Sequence, residues 1–506
     1  MRPGRLLILL GILGVAAGMV TGGCAKKGAA PSPAAEAEAP TPVGGEKIPV
    51  TTASAEAKAE FLQGRDLYEK SLDTDSRAHF QKAVSLDPNF AWAELSLANA
   101  SPNGEEFFDH LHRAVALADK ASNGERLLIL ATEARATANS AKQKHYLDQL
   151  VAAYPNDERA HFYLAGYYFD RQEYAPAIEH YKKATELAPN YSNAYNLLGY
   201  VYKQSGDYAS SEKAFRTYIE LLPKDPNPYD SYAELLLKMG RFDDSIVQYR
   251  KALEIDPTFL NAYQGLSMDL LYSGKPGEAE KELDKSLKAA RSAGETRQTL
   301  FARTIVHLDQ GKTPKALSDL DEQYALSERS KDVHTMAFER SLKGLLYAES
   351  GNADAAKKEY DAALKLVQES DLPQQVKDNE KLVYHYNMSR VALARKDFAG
   401  ARREADLFRQ GAEASKNPAT VQNAHELDGT IALAEKDYDR AIAELLQANE
   451  QNPQDLYRLC QAYGGKGDTA KAGEFCKKAA DFNSVPDVNY ALVQTKAKAG
   501  VGRGQS

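Results

Sequence analysis

The chain has 506 residues, of which 43% are hydrophobic and 26% are charged, so it can form several globular domains or one long repeat array. Its formal net charge is −8 and it contains no basic block, which argues against nucleic acid as a partner. Three cysteines exclude a disulfide-scaffold domain and any cysteine-rich zinc or iron–sulfur site.

The first 23 residues have the pattern of an export signal. A positively charged start precedes the apolar run 6–20, which is short for a membrane-spanning helix, and three small residues, 21–23, then precede Cys24. This ending resembles the lipobox of bacterial lipoproteins, although Thr21 stands where that family usually has an aliphatic residue. The resemblance implies cleavage before Cys24 and lipidation of its thiol. Ordinary signal cleavage and an uncleaved anchor are the alternatives.

The residue after the cysteine is Ala25 and not Asp. In lipoproteins of diderm bacteria, this implies transport to the outer membrane rather than retention in the inner membrane. Two or more acyl chains, palmitate among them, form a stable anchor, whereas one chain alone holds only marginally. The resemblance therefore implies an exported, lipid-anchored protein on the outer membrane, facing the periplasm.

Residues 24–55 are predicted to form a disordered tether. From residue 25 they are rich in Ala, Pro, Gly, Glu and Thr and contain no aromatic residue, so they cannot bury enough apolar surface to offset the cost of ordering. A flexible coil of this length spans roughly 30 Å. That is enough to lift a folded part clear of the lipid headgroups.

A fixed period of 34 residues organises the stretch 158–257. Three prolines mark it, and three other positions recur in step, without the alternation typical of a strand. Such a period indicates a helical solenoid. The recurring residues are Pro189, Pro223 and Pro257; Leu164, Leu198 and Tyr232; Ala165, Gly199 and Ala233; and Tyr181, Phe215 and Tyr249.

The small and aromatic positions, with a closing proline, resemble the tetratricopeptide repeat (TPR). The small residues let two antiparallel helices approach closely, the aromatic residues fill the gap between pairs, and the proline ends the second helix. The resemblance implies an all-α, superhelical solenoid of about twelve helix pairs. It divides the chain into an N-terminal array at 56–290, a more degenerate array at 291–486, and a capping helix with a frayed tail at 487–506. The N-terminal array is irregular at 91–155, where two repeats with an insertion are expected, and regular at 158–290.

Each first helix of a pair has a second stripe that points away from its packed face. In the TPR family this stripe lines the concave groove in which protein partners dock. The resemblance therefore implies a candidate groove of fifteen residues: Phe162, Phe169, Asp170, Asn193, Asn196, Tyr200, Lys203, Asn227, Asp230, Glu234, Lys238, Asn261, Gln264, Met268 and Tyr272.

Most tyrosines of the regular repeats occupy packing positions, so their number alone does not indicate a binding surface. Four aromatic groove residues remain, and exposed aromatic residues are typical of binding hot spots. They are Phe162, Phe169, Tyr200 and Tyr272. The asparagines of the groove, at 193, 227 and 261, have the simpler alternative of capping a helix. The Lys-and-Asn clamp by which some TPR proteins hold a peptide carboxylate is not evident.

Cys460 and Cys476 fall on the two helices of one pair, at positions that face each other in this fold. In an exported protein they can form a disulfide. The alternative is two buried thiols that serve as small apolar fillers.

The sequence contains no catalytic or metal-binding motif. None of its ten histidines forms a metal-spaced helical pair, and G-x-S-x-G, P-loop and G-x-G-x-x-G motifs are absent. We therefore predict a non-catalytic scaffold or adaptor of the bacterial cell envelope, which is anchored in the membrane, binds a protein partner and needs no cofactor. The sequence leaves its oligomeric state open. The alternative is a small-ligand receptor or an enzyme with a pocket in the irregular repeats, 91–155 or 296–415.

Overall fold

The computed structural model describes residues 47–70, 72–101, 104–137, 139–415 and 417–503. These residues form 25 α-helices and no strand. Each helix packs against the next, and twenty-four of them make twelve consecutive pairs, followed by one last helix. The predicted all-α solenoid of about twelve TPR-like pairs is confirmed.

The first seven pairs occupy residues 55–289. Their helices are α1 Ala55–Glu69, α2 Asp73–Leu86, α3 Ala91–Asn99, α4 Gly104–Leu117, α5 Asn123–Ala136, α6 Ser140–Ala153, α7 Glu158–Asp170, α8 Tyr174–Leu187, α9 Ser192–Ser205, α10 Tyr208–Leu221, α11 Pro226–Lys238, α12 Phe242–Ile255, α13 Leu260–Tyr272 and α14 Pro276–Ala289. The irregular stretch 91–155 contains two pairs, α3–α4 and α5–α6, with a short 3-10 turn at Ala118–Lys120 between them.

The remaining five pairs and the last helix occupy residues 293–503. They are α15 Ala293–Asp309, α16 Thr313–Arg329, α17 Val333–Glu349, α18 Ala353–Gln368, α19 Gln374–Ala394, α20 Phe398–Ser415, α21 Pro418–Ala434, α22 Tyr438–Leu445, α23 Pro453–Lys466, α24 Thr469–Ala480 and α25 Val488–Arg503. Residues 500–503, predicted as part of a frayed tail, belong to α25, and 504–506 lie outside the described residues.

Close helix packing in the regular repeats depends on glycine. A Cβ at Gly199 of α9 would lie 2.6 Å from the ring of Phe215 in α10, so only glycine allows this ring to lie flat against the helix. Gly206, at a φ of 83°, then ends α9 in the left-handed region that favours glycine. Asp225 begins α11 by accepting a hydrogen bond from the backbone N–H of Asn227.

The expected break near residue 290 is not a boundary in the core. The turn 290–292 joins α14 to α15, and one apolar cluster continues on both sides of it, from Ala233 through Leu283 to Ile305 and Leu346. The two predicted arrays therefore share one core, because each new pair buries the apolar face left by the preceding one.

The predicted tether must be shortened at its C-terminal end. Residues 47–54 have no helical structure and lie across the starts of three pairs, and Ile48 is buried against Gly124 and Tyr154. Three hydrogen bonds hold them there. Lys47 Nζ donates to the carbonyl of Asn156 at 2.8 Å, the backbone N–H of Ile48 donates to Asp157 at 2.7 Å, and that of Thr51 donates to Glu125 at 2.8 Å. The predicted signal peptide, Cys24 and the rest of the tether, 24–46, lie outside the described residues.

Pairs that lie seven positions apart in the solenoid contact each other. The first pair contacts the eighth, where Arg291 lies 3.7 Å from Asp75 and Thr74 donates to Glu295 at 3.4 Å. The second pair contacts the ninth through α4 and α17. In the part of the chain that the structure describes, we find no helix whose length and hydropathy suit a membrane span.

Candidate functional site

Three of the four aromatic residues of the predicted groove, Phe162, Phe169 and Tyr200, pack against other helices of the solenoid, and for these three the prediction is wrong. The ring of Phe162 lies 5.5 Å from that of Tyr181, and the ring of Tyr200 lies 5.3 Å from that of Phe215, both on the partner helix. Phe169 and Met268 are also buried, with exposed fractions of 8% and 0%.

The reason is that first helices of successive pairs touch one another, as α11, α13 and α15 do. A stripe that would be open in a flatter solenoid is then covered by the neighbouring first helix. Tyr200 donates to Ser231 of the next first helix at 3.3 Å, and Lys203 bonds to Glu234 there at 3.1 Å. These positions therefore hold adjacent repeats together.

The predicted polar groove residues mostly serve the same purpose. Gln298 of α15 donates to Asn261 at 2.6 Å and to Gln264 at 3.3 Å, both on α13. Asn193, Asn196 and Asp230 are buried as well. Asp170 is exposed and pairs with Arg135 at 3.1 Å.

The three asparagines at the repeat period are not helix caps. Each is the second residue of its helix, after the capping position, because α9, α11 and α13 begin one residue earlier. Asn227 is fully buried and donates to the hydroxyl of Tyr218 at 2.8 Å. The capping explanation is therefore wrong, and this asparagine fastens α11 to the preceding helix.

Two predicted groove residues, Lys238 and Tyr272, do face the concave side. They are covered by the C-terminal segment, by which we mean residues 481–503, comprising the connection 481–487 and α25. Lys238 Nζ donates to the backbone carbonyl of Phe482 at 2.7 Å and lies 3.5 Å from the centre of its ring. The hydroxyl of Tyr272 donates to the carbonyl of Ser484 at 2.8 Å.

The helix of the C-terminal segment continues along the concave side. α25 packs on α23 and α24, as a capping helix would, but also on α15 in the middle of the solenoid. Val488 and Ala491 join the apolar cluster of the central pairs, and the ring of Tyr490 lies 5.2 Å from that of Tyr272. The concave side is therefore occupied by the end of the same chain.

Sequence reasoning missed this role of the segment. One signal was present, because Tyr490–Val493 (residues 490–493) are four consecutive apolar residues. A helix that only covers a final face needs an apolar stripe at intervals of three to four residues. A continuous apolar run instead indicates burial on more than one side.

A cavity of about 360 Å³ lies where the segment meets the groove. Burial, with Lys203 beside it, lowers the pKa of Lys238 to about 7. Burial raises the pKa of Asp487 in the segment. The cavity is lined by Lys238, Met239, Gly240, Phe242, Tyr272, Ala480, Asp481, Asn483 and Lys498.

A disulfide joins Cys460 of α23 to Cys476 of α24, with their Cα atoms 5.0 Å apart. Gly500 of α25 lies directly over it, since a Cβ at that position would collide with the sulfur of Cys476. The disulfide therefore forms part of the surface on which the C-terminal segment rests.

A second, polar cavity of about 120 Å³ lies between Tyr386, Arg390 and Gln454. The nearby arginines are paired, Arg390 with Glu349 at 3.0 Å and Arg458 with Glu426 at 2.7 Å. Among the described residues, no group of His, Cys, Asp and Glu is arranged to hold a metal ion.

Comparison with known proteins supports the repeat assignment. A family model described as "Tetratricopeptide repeat" matches residues 192–225, 227–259 and 341–367, and one described as "TPR repeat" matches 167–206. No curated protein sequence matches the chain.

Solved structures resemble parts of it. The MamA protein is 23% identical, covering 33% of this chain and 91% of its own, with a TM-score of 0.29. A tetratricopeptide repeat protein of Parabacteroides merdae is 16% identical (54% and 94%, TM-score 0.35), and a thermophilic TPR protein of Thermus thermophilus is 20% identical (42% and 99%, TM-score 0.29). Proteins with such repeats generally bind other proteins and are generally not catalytic. The chain therefore carries tetratricopeptide repeats, set in an all-helical solenoid of TPR-like pairs.

Proposed function

We propose that this chain is a non-catalytic scaffold or adaptor of the bacterial cell envelope, anchored by a lipid at Cys24, that binds a segment of a partner protein on its concave side. The observation that carries this proposal is the way the concave side holds the C-terminal segment. Lys238 and Tyr272 donate to backbone carbonyls, which every extended polypeptide presents. The surface therefore has the chemistry to bind a peptide segment.

The anchor rests on the sequence before residue 47, and two observations support it. Residues 47–54 are fixed along the solenoid, so the tether leaves the folded part at one defined place, beside Glu158. The disulfide between Cys460 and Cys476 is of a kind that persists in oxidising compartments such as the periplasm.

The anchor is tested by replacing its cysteine. We expect Cys24→Ser to abolish metabolic labelling with an alkyne-bearing palmitate analogue and to release the protein from the membrane fraction. The matched control, Cys460→Ser/Cys476→Ser, should remain labelled. Continued labelling of the Cys24→Ser variant would show that the lipid is attached to another residue.

The groove is tested by crosslinking in the native host and recovery of the partner. We expect Lys238→Ala/Tyr272→Ala to reduce recovery at least tenfold, because both backbone contacts are lost. Val247→Ala is the matched control, since Val247 is 60% exposed on α12 and removed from the contacts of the groove residues described above. Equal recovery from all three proteins would place the partner on another surface.

The small-ligand or enzyme alternative requires a pocket in the irregular repeats. The cavity beside Tyr386 and Arg390 lies partly in the second of these stretches, but its volume is about 120 Å³. Small-molecule sites usually have at least about 300 Å³. Its size and its paired arginines favour the scaffold function.

A further inference from the structure

The C-terminal segment can leave the groove without disturbing the order of the repeats. It contains the last of the described helices, and the seven residues 481–487 connect α25 to α24 without helical structure. All twelve pairs keep their neighbouring pairs when α25 moves away, and the last pair loses the cover of its apolar face. A central helix could not leave in this way, because each repeat buries the face of the next.

The contact between segment and groove combines buried apolar side chains, among them Val488, Tyr490 and Ala491, with buried ionisable groups. Burial lowers the pKa of Lys238 to about 7 and raises the pKa values of Asp309 and Asp487. Buried ionisable groups cost free energy, which apolar side chains of similar size would avoid.

The segment also shows which chemistry the groove selects. Phe482 places its ring under the ammonium group of Lys238, and Tyr490, eight residues later, packs its ring on that of Tyr272. Between them, the carbonyls of Phe482 and Ser484 accept the two groove hydrogen bonds. The occupant is thus a non-helical stretch with one aromatic residue, turned at Asn483 by a positive φ of 40°, followed by a helix with a second aromatic residue.

We propose that the surface formed by Lys238 and Tyr272 is the docking site for a partner segment of this kind, and that the C-terminal segment is its resident competitor. The inference rests on the proposed scaffold function and specifies its partner. The partner carries a non-helical stretch with an aromatic residue, followed by an aromatic-bearing helix. It binds when the chain's own segment is displaced.

The test uses the full chain and a fluorescent synthetic peptide of residues 481–503. Phe482→Ala/Tyr490→Ala weakens the resident segment, and Gly500→Val forces α25 away from Cys476 by a different route. Thr495→Ala, at an exposed position of α25, is the control. Hydrogen exchange of residues 488–500 reports release of the segment.

We expect at least tenfold faster exchange and at least tenfold tighter peptide binding in the two releasing variants than in the wild type and the control. Adding Lys238→Ala/Tyr272→Ala to a releasing variant should remove the binding. A peptide of unrelated sequence that keeps the two aromatic positions should bind, whereas the same composition in scrambled order should not.

Several results would overturn the proposal. Unchanged exchange in both releasing variants would make the segment a permanent part of the fold. Faster exchange without peptide binding would remove the docking site, and a dimer that exchanges segments in light scattering would make a second copy the occupant. None of these results bears on partner recovery by crosslinking in the host, so the scaffold function is judged separately.

Discussion

The regular block, residues 158–290, and the long-helix block, residues 293–434, build the same architecture at two different periods. Pairs of the regular block begin at residues 158, 192, 226 and 260, which are 34 apart, with helices of 13 or 14 residues. Pairs of the long-helix block begin at 293, 333 and 374, and a further first helix begins at 418; these seven helices have 16 to 21 residues. About one extra turn per helix, at 3.6 residues a turn, accounts for the difference.

This comparison explains why repeats in the second half looked degenerate. Their helices are longer, but the packing position is kept: a Cβ at Gly344 would lie 2.6 Å from the ring of Tyr360, as one at Gly199 would from Phe215. The family model also matches only 341–367 in this block. The period changed while the contact that defines the pair did not.

The largest expected effect tests whether this contact is equivalent in both blocks. Gly199→Val and Gly344→Val each force a side chain into an aromatic ring, so each should lower the free energy of unfolding by about 3 kcal/mol. Urea unfolding followed by circular dichroism measures this. Gly473→Val, with open space around its Cβ, is the control and should change little. A large loss in the free energy of unfolding for only one of the two variants would show that the glycine–aromatic contact is not equivalent in the two blocks.

The disulfide should stabilise a region outside both blocks. Cys460→Ser/Cys476→Ser removes a crosslink over 16 residues and should cost about 3 kcal/mol in the last pair. Hydrogen exchange should accelerate in α23, α24 and α25, while the two blocks keep their protection. Accelerated exchange throughout the chain would instead show that the solenoid unfolds as one unit.

Each block also buries a carboxyl group whose pKa is raised far above its ordinary value, and these groups should make stability depend on pH. Burial raises the pKa of Asp269 and of Glu339 to about 8, from ordinary values of 3.8 and 4.5. Between those values the unfolded chain has lost a proton that the folded chain keeps, so the free energy of unfolding falls as pH rises from about 4 to about 8.

Asp269→Asn and Glu339→Gln should therefore raise the melting temperature more at pH 8 than at pH 5. The Asp269 variant should gain more, about 2 kcal/mol at pH 8. Neither of its carboxylate oxygens has a hydrogen-bond partner among the described residues, whereas Glu339 accepts one from Ser327 at 2.9 Å. Equal gains at both pH values would contradict the assignment of the raised pKa.

The smallest effect concerns the ion pairs between paired helices of the long-helix block. Arg340 bonds to Glu359 at 2.8 Å and lies over the ring of Tyr324. Arg340→Ala should cost about 0.5–1 kcal/mol, and less in high salt, because the pair is partly exposed. The loss of stability from Arg395→Ala should be near zero, because the partner of Arg395, Asp354, is almost fully exposed. A salt-independent loss at Arg340 would assign the effect to its aromatic contact.

Much of the fold could be predicted because residues that pack together within a repeat recur at a fixed spacing in the sequence. Gly199 and Phe215, or Cys460 and Cys476, lie on neighbouring helices at a spacing that a single helix pair fixes. The groove could not be predicted in the same way. Whether Tyr200 or Met268 is open or buried depends on how closely successive first helices approach, and this curvature results from many small packing terms.

The sequence by itself determined the helix pairs, their approximate number and their order, since each pair depends on residues fewer than about 45 positions apart. Only the tertiary structure decided that the first pair meets the eighth, that the core crosses residue 290, and that the last helix lies against Lys238 and Tyr272. The contacts of the first pair with the eighth and of the last helix with Lys238 and Tyr272 join residues more than 200 positions apart, and no periodic sequence pattern indicates them. They depend on the accumulated curvature of the whole solenoid, which exists only once all its pairs are stacked.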